Sequence, residues 1–256
     1  MSIAVLRVVI CVLGVIGGWY LATPLQAIAN RLLASVPVED AAPSALALVA
    51  GNVAEPAATI ATLPLVLTPI WRGTLRFGLA GGVPLALWHA TAFWHSVTFG
   101  ESITLVALVV CVAALVLIAV LDGAAHLVFA EVLVPPIASV LLVAFGVGQH
   151  VWLPLLLGGV VGGTIFLACY LFGRLRYGTD ALGFGDVQLA AAFGIMLGWP
   201  LLIDGLLLGM IALVIVTLPL LALRRITTTT YLPIGSFLAL GTLAVLLIAP
   251  TPWSLT

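Results

Sequence analysis

Nine side chains of this 256-residue chain carry a carboxyl group, and their settings separate two of them from the rest. Asp122 ends a long apolar run in "VLIAVLDGAAHLVFAEVLVP", and Asp186 opens another in "ALGFGDVQLAAAFG". Two carboxyl groups held at one depth of an apolar bundle can share a proton. One then acts as general base on a water molecule while the other, protonated, polarises a peptide carbonyl. Like-charge repulsion and a low dielectric keep the shared proton on the pair. That is the requirement of aspartic proteolysis. Each residue also has a purely structural reading. Asp186 follows Gly-Phe-Gly and precedes a helical run, so it suits an N-cap. Asp122 precedes Gly123 and can simply mark a helix end.

The neighbours of Asp122 widen the candidate set. His126 lies one helical turn on, placed either to tune the aspartate and meet substrate or to be satisfied within the bundle. Glu131, in "FAEVLVP", enters the site if the segment before Pro135 is non-helical and otherwise faces a loop or lumen. Glu39, Asp40, Glu55 and Asp180 fall in polar loops, and Glu101 and Asp204 near the ends of apolar runs, where solvated roles suffice. His89 and His95, beside Trp88 and Trp94, suit an interfacial aromatic belt better than a metal site. Cys11, Cys111 and Cys169 are scattered and form no C-x-x-C pair, so neither a disulfide framework nor a metal site is expected.

The elements that must position these groups follow from composition. Hydrophobic residues make up 64% of the chain and charged residues 7%, too few to cover a globular surface. The expected class is all-α: one polytopic transmembrane bundle of about eight helices over residues 1–256. The spans fall near 3–23, 77–97, 102–121, 129–148, 151–173, 186–199, 201–223 and 232–250, the sixth being short. The N-terminal apolar run lacks an A-x-A-like cleavage site and reads as the first span. Residues 24–76, broken by Pro24, Pro37, Pro43, Pro56, Pro64 and Pro69, read as a cytoplasmic or interfacial loop region, with 57–71 an interfacial or re-entrant piece. Gly158, Gly159, Gly162 and Gly163 have the spacing of a close helix–helix contact.

All eight basic residues are arginines. With eight spans, Arg31, Arg72, Arg76, Arg174, Arg176, Arg224 and Arg225 fall on one side, which the positive-inside rule makes cytoplasmic; Arg7 falls on the other. Asp122 and Asp186 are expected at that same cytoplasmic boundary. A net charge of −1 and the absence of a basic patch leave no footprint for nucleic acid.

"GFGD" (Gly183 to Asp186) followed by "VQLAAAFGIMLGW" resembles the G-x-G-D segment of the type IV prepilin peptidases, membrane aspartic proteases. "YLPIGSFLALG" at 231–241 is similar to that family's I-P-F-G-P-x-L-A-L-G segment, and "VLDGAAHLVFAEVLVP" to the helix end that bears its first aspartate. "GGWYLATPLQAIANRL" and "TPIWRGTLRFGLAGG" add weaker matches in family order. The resemblance implies an integral-membrane endopeptidase that cleaves the N-terminal leader of type IV prepilin-like substrates at the cytoplasmic face of the inner membrane. Asp122 and Asp186 are the implied catalytic pair, with Gly183 and Gly185 allowing close backbone approach and unusual dihedrals in the loop. Prepilins or pseudopilins and membrane lipids are the implied partners. The peptidase step needs no cofactor. S-adenosylmethionine is implied only where methyl transfer is retained, because the family's four-cysteine, metal-binding loop has no counterpart here. Gly123-Ala124-Ala125, Val128-Phe129 and Gln188 also depart from the family pattern. The competing reading is a catalytically inactive relative that serves as a membrane scaffold or small-solute permease.

Overall fold

The computed structural model describes residues 3–35, 69–90, 99–147, 151–177, 182–224 and 232–249. Among them are eight helices and no strand: α1 (Ile3–Ala34), α2 (Pro69–Ala90), α3 (Phe99–Ala125), α4 (Ala130–Val147), α5 (Trp152–Tyr177), α6 (Phe184–Leu197), α7 (Leu201–Ala222) and α8 (Ile234–Ile248). Four of them contain apolar spans long enough to cross a membrane, Val8–Ala34, Ile103–Ala125, Trp152–Arg176 and Leu201–Ala222. The outward faces of α1, α5 and α7 are apolar along their length, with Leu13, Ile16, Leu153, Val160, Ile211 and Ile215 all exposed. A water-soluble protein rarely shows such surfaces, whereas lipid covers them at no cost. The protein is a multi-pass membrane protein.

Two helix boundaries differ widely from the sequence expectation. The first span does not stop before Pro24; α1 carries that proline inside and runs on to Ala34. Prolines are tolerated within membrane helices because neighbouring groups satisfy the freed carbonyl. The second begins at Pro69, eight residues early, with proline at the first helical position where its missing N–H costs nothing. Residues 69–71 of the expected re-entrant piece are therefore helical, and the rest of that piece lies outside the described residues. In line with the expected fourth span, α4 is helical from Ala130 straight through Pro135 and Pro136.

Glycines set the helix spacing. On α5, Gly158 and Gly162 press against the backbone of Gly194 and Ala190 on α6; a Cβ at Gly194 would sit 2.1 Å from the Gly158 carbonyl oxygen. The same device joins α7 to α8, where a Cβ on Gly241 would lie 2.3 Å from the Gly205 carbonyl oxygen, and α1 to α2, where one on Gly18 would lie 2.4 Å from that of Leu79. Such contacts bring backbones together and increase dispersion gain where lipid offers no hydrophobic drive.

These contacts also fix direction. Gly18 meets Leu79 while Gly14 meets Pro84; Gly78 meets Val116 while Gly82 meets Val112; Gly158 meets Gly194 while Gly162 meets Ala190; Gly209 meets Leu238 while Gly205 meets Thr242. Each of these pairs is antiparallel. The C-terminal ends of α1, α3, α5 and α7 therefore share one end of the bundle with the N-terminal ends of α2, α4, α6 and α8. Arg31, Arg72, Arg76, Arg174, Arg176 and Arg224 all lie at that end. Within it, α3 packs against α1, α2, α4 and α8, and α6 packs against α4, α5, α7 and α8.

The helices differ in reach. Phe184, at the start of α6, stacks edge-on against Tyr170 of α5 with centroids 5.8 Å apart, and α5 continues to Tyr177. That overhang is about 10 Å at 1.5 Å per residue. Gly209 of α7 faces Leu238 of α8, and α7 continues to Ala222, overhanging the start of α8 by about 15 Å. The starts of α6 and α8 thus lie short of the ends of α5 and α7.

Replacing Gly194 with alanine is expected to destabilise the bundle by about 1–3 kcal/mol or more, the cost of overpacking a seam that cannot move aside. Gly146→Ala, whose Cβ meets nothing within 4 Å, is expected to leave stability unchanged or slightly raised. Thermal unfolding of the two purified variants in detergent checks the contrast.

Candidate active site

Asp122 lies on the last turn of α3, and its helix ends four residues on. His126 closes it with a left-handed φ of 54°, its N–H donating to the Asp122 carbonyl at 2.8 Å. This is the αL type of helix stop, normally taken by glycine. The Asp122 side chain points inward and is 5% exposed. Its Oδ2 accepts the backbone N–H of Ser236 in a short hydrogen bond. Ser236 is the third residue of α8, where N–H groups have no acceptor within their own helix. The Ser236 hydroxyl donates to the Ala119 carbonyl at 2.8 Å, a turn back along α3. Gly235 makes the approach possible: a Cβ there would lie 3.0 Å from Asp122 Cγ and 2.7 Å from Leu189 Cδ1 on α6. The indole of Trp71, from the first turn of α2, covers Gly123, with its Cη2 3.0 Å from where a Cβ would be.

Asp186 approaches from α6. The helix is capped by Gly183 in an extended conformation (φ −72°, ψ 144°), and Asp186 is its third residue. The expectation that Asp186 is itself the N-cap is thus corrected by three positions. Its carboxyl group instead reaches back to the backbone of Gly183 and is hydrogen-bonded there, the arrangement of the reciprocal half of a capping box. Asp186 is partly buried, and it lies close enough to Asp122 for the two charges to interact. His126 stands within electrostatic reach of Asp122 as well.

The glycines of the loop act differently from expectation. Neither has an unusual dihedral: Gly183 is ordinarily extended, and among the described residues the positive-φ glycine is Gly198, at the far end of α6. Gly185 serves close approach, since a Cβ there would come 3.0 Å from Cβ of Val128 in the link between α3 and α4. Glu131 is not drawn into the site. It sits in the first turn of α4 with its side chain exposed, because the segment before Pro135 is helical. Trp88, His89, Trp94 and His95 have side chains outside the described residues, as do Asp180 and His150.

Here two carboxyl groups from helices otherwise distant in sequence come within electrostatic reach of each other at one end of an apolar bundle, each held by a backbone hydrogen bond at a helix start. The model of the type IV leader peptidase family matches residues 108–218, a stretch running from mid-α3 through α7 and containing both aspartates. Residues 108–218 are thus similar to the type IV leader peptidase family. A curated relative from Burkholderia pseudomallei (strain 1026b), the prepilin leader peptidase/N-methyltransferase, is 39% identical over 90 residues, 34% of this chain and 29% of its own length. The protein of that name from Pseudomonas putida is 36% identical over 100 residues, 38% of this chain and 35% of its own. One from Pectobacterium carotovorum subsp. carotovorum is 34% identical over 84 residues, 33% of this chain and 30% of its own. The matched stretch thus spans about a third of those relatives. No solved structure matches the chain significantly.

The family match ends before α8. Ser236, Gly235 and Trp71 therefore complete the leader-peptidase-like site from outside the matched stretch, and sequence reading did not single them out. The signal for α8 was its resemblance to a family segment, and Trp71 lies in a weaker match of the same kind.

Alanine at Gly185 is expected to lower thermal stability because it collides with a β-branched residue. Alanine at Gly183, where the nearest atom beyond its chain neighbours is Asp186 Oδ2 at 3.7 Å, is expected to be tolerated within about 0.5 kcal/mol. Unfolding of the two variants side by side separates them; equal losses would contradict the packing assigned to Gly185.

Proposed function

We propose that this chain is an integral-membrane aspartic endopeptidase, cleaving the N-terminal leader of type IV prepilin-like substrates at the cytoplasmic face of the inner membrane. The observation that carries the reading is the placement of Asp122 and Asp186 within electrostatic reach of each other at one end of the bundle. The match of residues 108–218 to the leader peptidase family model supports it. The six described arginines at the end that holds the carboxyls support the cytoplasmic placement through the positive-inside rule. The substrate, a prepilin or pseudopilin, is itself an apolar helix that can enter from the bilayer, and membrane lipids bound the site laterally.

The chemistry follows from a pair that shares one proton. The ionised carboxylate takes a proton from a bound water as its oxygen bonds to the scissile carbonyl carbon. The protonated partner gives its proton to the carbonyl oxygen. Collapse of the tetrahedral intermediate breaks the C–N bond, the departing amine takes up the proton held by the base, and the carbonyl re-forms as the hydroxyl proton returns to the pair. His126, next to Asp122, is placed to tune the pair or to meet the substrate. Side chains and water suffice for this step. S-adenosylmethionine enters only where methyl transfer is retained.

Purified protein in detergent or liposomes is expected to cleave a prepilin-like peptide. Asp122→Asn and Asp186→Asn are each expected to lower the rate by about 10²–10⁴-fold, the range general acid–base catalysis supplies, with unfolding temperature close to wild type. Glu131→Gln, on an exposed side chain, is expected to cleave at the wild-type rate. Unimpaired cleavage by either asparagine variant would remove the mechanism. No cleavage by folded wild type against several leaders would favour an inactive scaffold or permease.

A further inference from the structure

We propose that Trp71 is a positioning residue for Asp122: its indole fills the place of a side chain at Gly123 and so sets the last turn of α3, which carries the carboxyl group. The effect on catalysis rests on the peptidase reading proposed above; the packing of the pair does not.

The pair ends a row of contacts that runs along the seam between α2 and α3. Deeper in the bundle the sockets are on α2. A Cβ on Gly82 would lie 3.1 Å from Val112 Cγ1, and one on Gly78 would lie 2.9 Å from Val116 Cγ1. At the carboxyl end the roles exchange, and α3 supplies the socket. A Cβ on Gly123 would lie 3.0 Å from Trp71 Cη2 and 3.3 Å from its Cζ3, with Ser236 Oγ of α8 bordering the same point at 3.2 Å. The indole is half-buried and packs against the apolar core. The space beside position 123 is thus filled from neighbouring helices and not from α3 itself.

This exchange accounts for the residue at 123. Glycine is a poorer helix former than alanine, and here it stands before two alanines, at a place where the chain departs from the pattern of the family it resembles. The indole needs the room that glycine leaves. An indole is also a rigid spacer, with only two side-chain torsions through which to retreat. Asp122 directly precedes Gly123, so a roll of this turn that relieves a gap or a clash at 123 carries the carboxyl group with it. Both carboxyl groups must bear on one water, and a misplacement of about 1 Å can cost roughly 100-fold in rate.

Substitutions that trade volume between the two positions test the pair. Alone, Trp71→Phe opens a gap and Gly123→Ala meets the indole, and each is expected to lower the unfolding temperature in detergent. With the shorter ring at 71, Gly123→Ala is expected to raise it, because the space is open and alanine is the better helix former. The same effect of Gly123→Ala in both backgrounds would overturn the pairing.

On a cleaved prepilin-like peptide, Trp71→Phe is expected to lower kcat by about tenfold, with KM within about twofold. Adding Gly123→Ala to it is expected to restore kcat to within about threefold of wild type. Gly78→Ala crowds Val116, six residues before Asp122 on α3. It is expected to lower the unfolding temperature and to keep kcat within about twofold. Unchanged kcat in Trp71→Phe, no recovery in the double variant, or an equal loss of kcat in Gly78→Ala would each overturn the positioning role. A folded wild type that cleaves nothing would overturn the proposed function and the positioning role together, while the unfolding temperatures would still decide the pairing.

Discussion

Two carboxyl groups at the end of an apolar bundle must have their hydrogen bonds supplied by the protein. A buried carboxylate without partners costs several kcal/mol, and charged side chains are scarce in this chain. Backbone supplies the bonds instead. Asp122 takes the N–H of Ser236 and Asp186 that of Gly183, both from the starts of helices. Those N–H groups lack acceptors in their own helices and carry the positive end of the helix dipole. One contact therefore answers two deficits at once, an acceptor without donors and donors without acceptors. It also explains why α6 and α8 begin at the level where α3 ends.

The rest of the bundle can be read as what holds those helix starts in place. Asp122 and Ser236 are 114 positions apart in sequence, so their hydrogen bond depends on packing and not on local chain geometry. The glycine contacts between α5 and α6, and between α7 and α8, supply that packing with backbone against backbone, leaving little room for the helices to slide. The ends of α5 and α7 then reach beyond the level of both carboxyls. The burial of Asp122 strengthens its electrostatic interactions.

Much of this was legible from charge and hydropathy. Eight helices follow from eight apolar stretches, and one arginine-bearing end follows from where the arginines fall between them. The spacing of Gly158, Gly159, Gly162 and Gly163 pointed to a helix contact, and Gly158 and Gly162 do meet the backbone of α6. Pro24 looks like a break because soluble helices cannot hold an interior proline, whereas a membrane bundle can, and from that follows the extension of α1. Ser236 and Trp71 lie in segments similar to family segments but were not singled out, since each matters through a contact with α3 that only the folded chain makes.

The segment Gly183-Phe-Gly-Asp answers why a carboxylate sits between a glycine turn and a run of alanines. The extended Gly183 starts the helix and offers its backbone to Asp186 three residues on. Phe184 turns outward onto Tyr170 of α5, anchoring the loop to that helix. Gly185 lies flat against Val128 in the link that follows Asp122, which brings the two aspartate-bearing segments into contact just outside the carboxyls. The alanines that follow let α5 approach the backbone of α6. Each residue type in that short stretch is thus accounted for by a contact, and together these contacts bring Asp186 towards Asp122 without a further charged side chain to steer it.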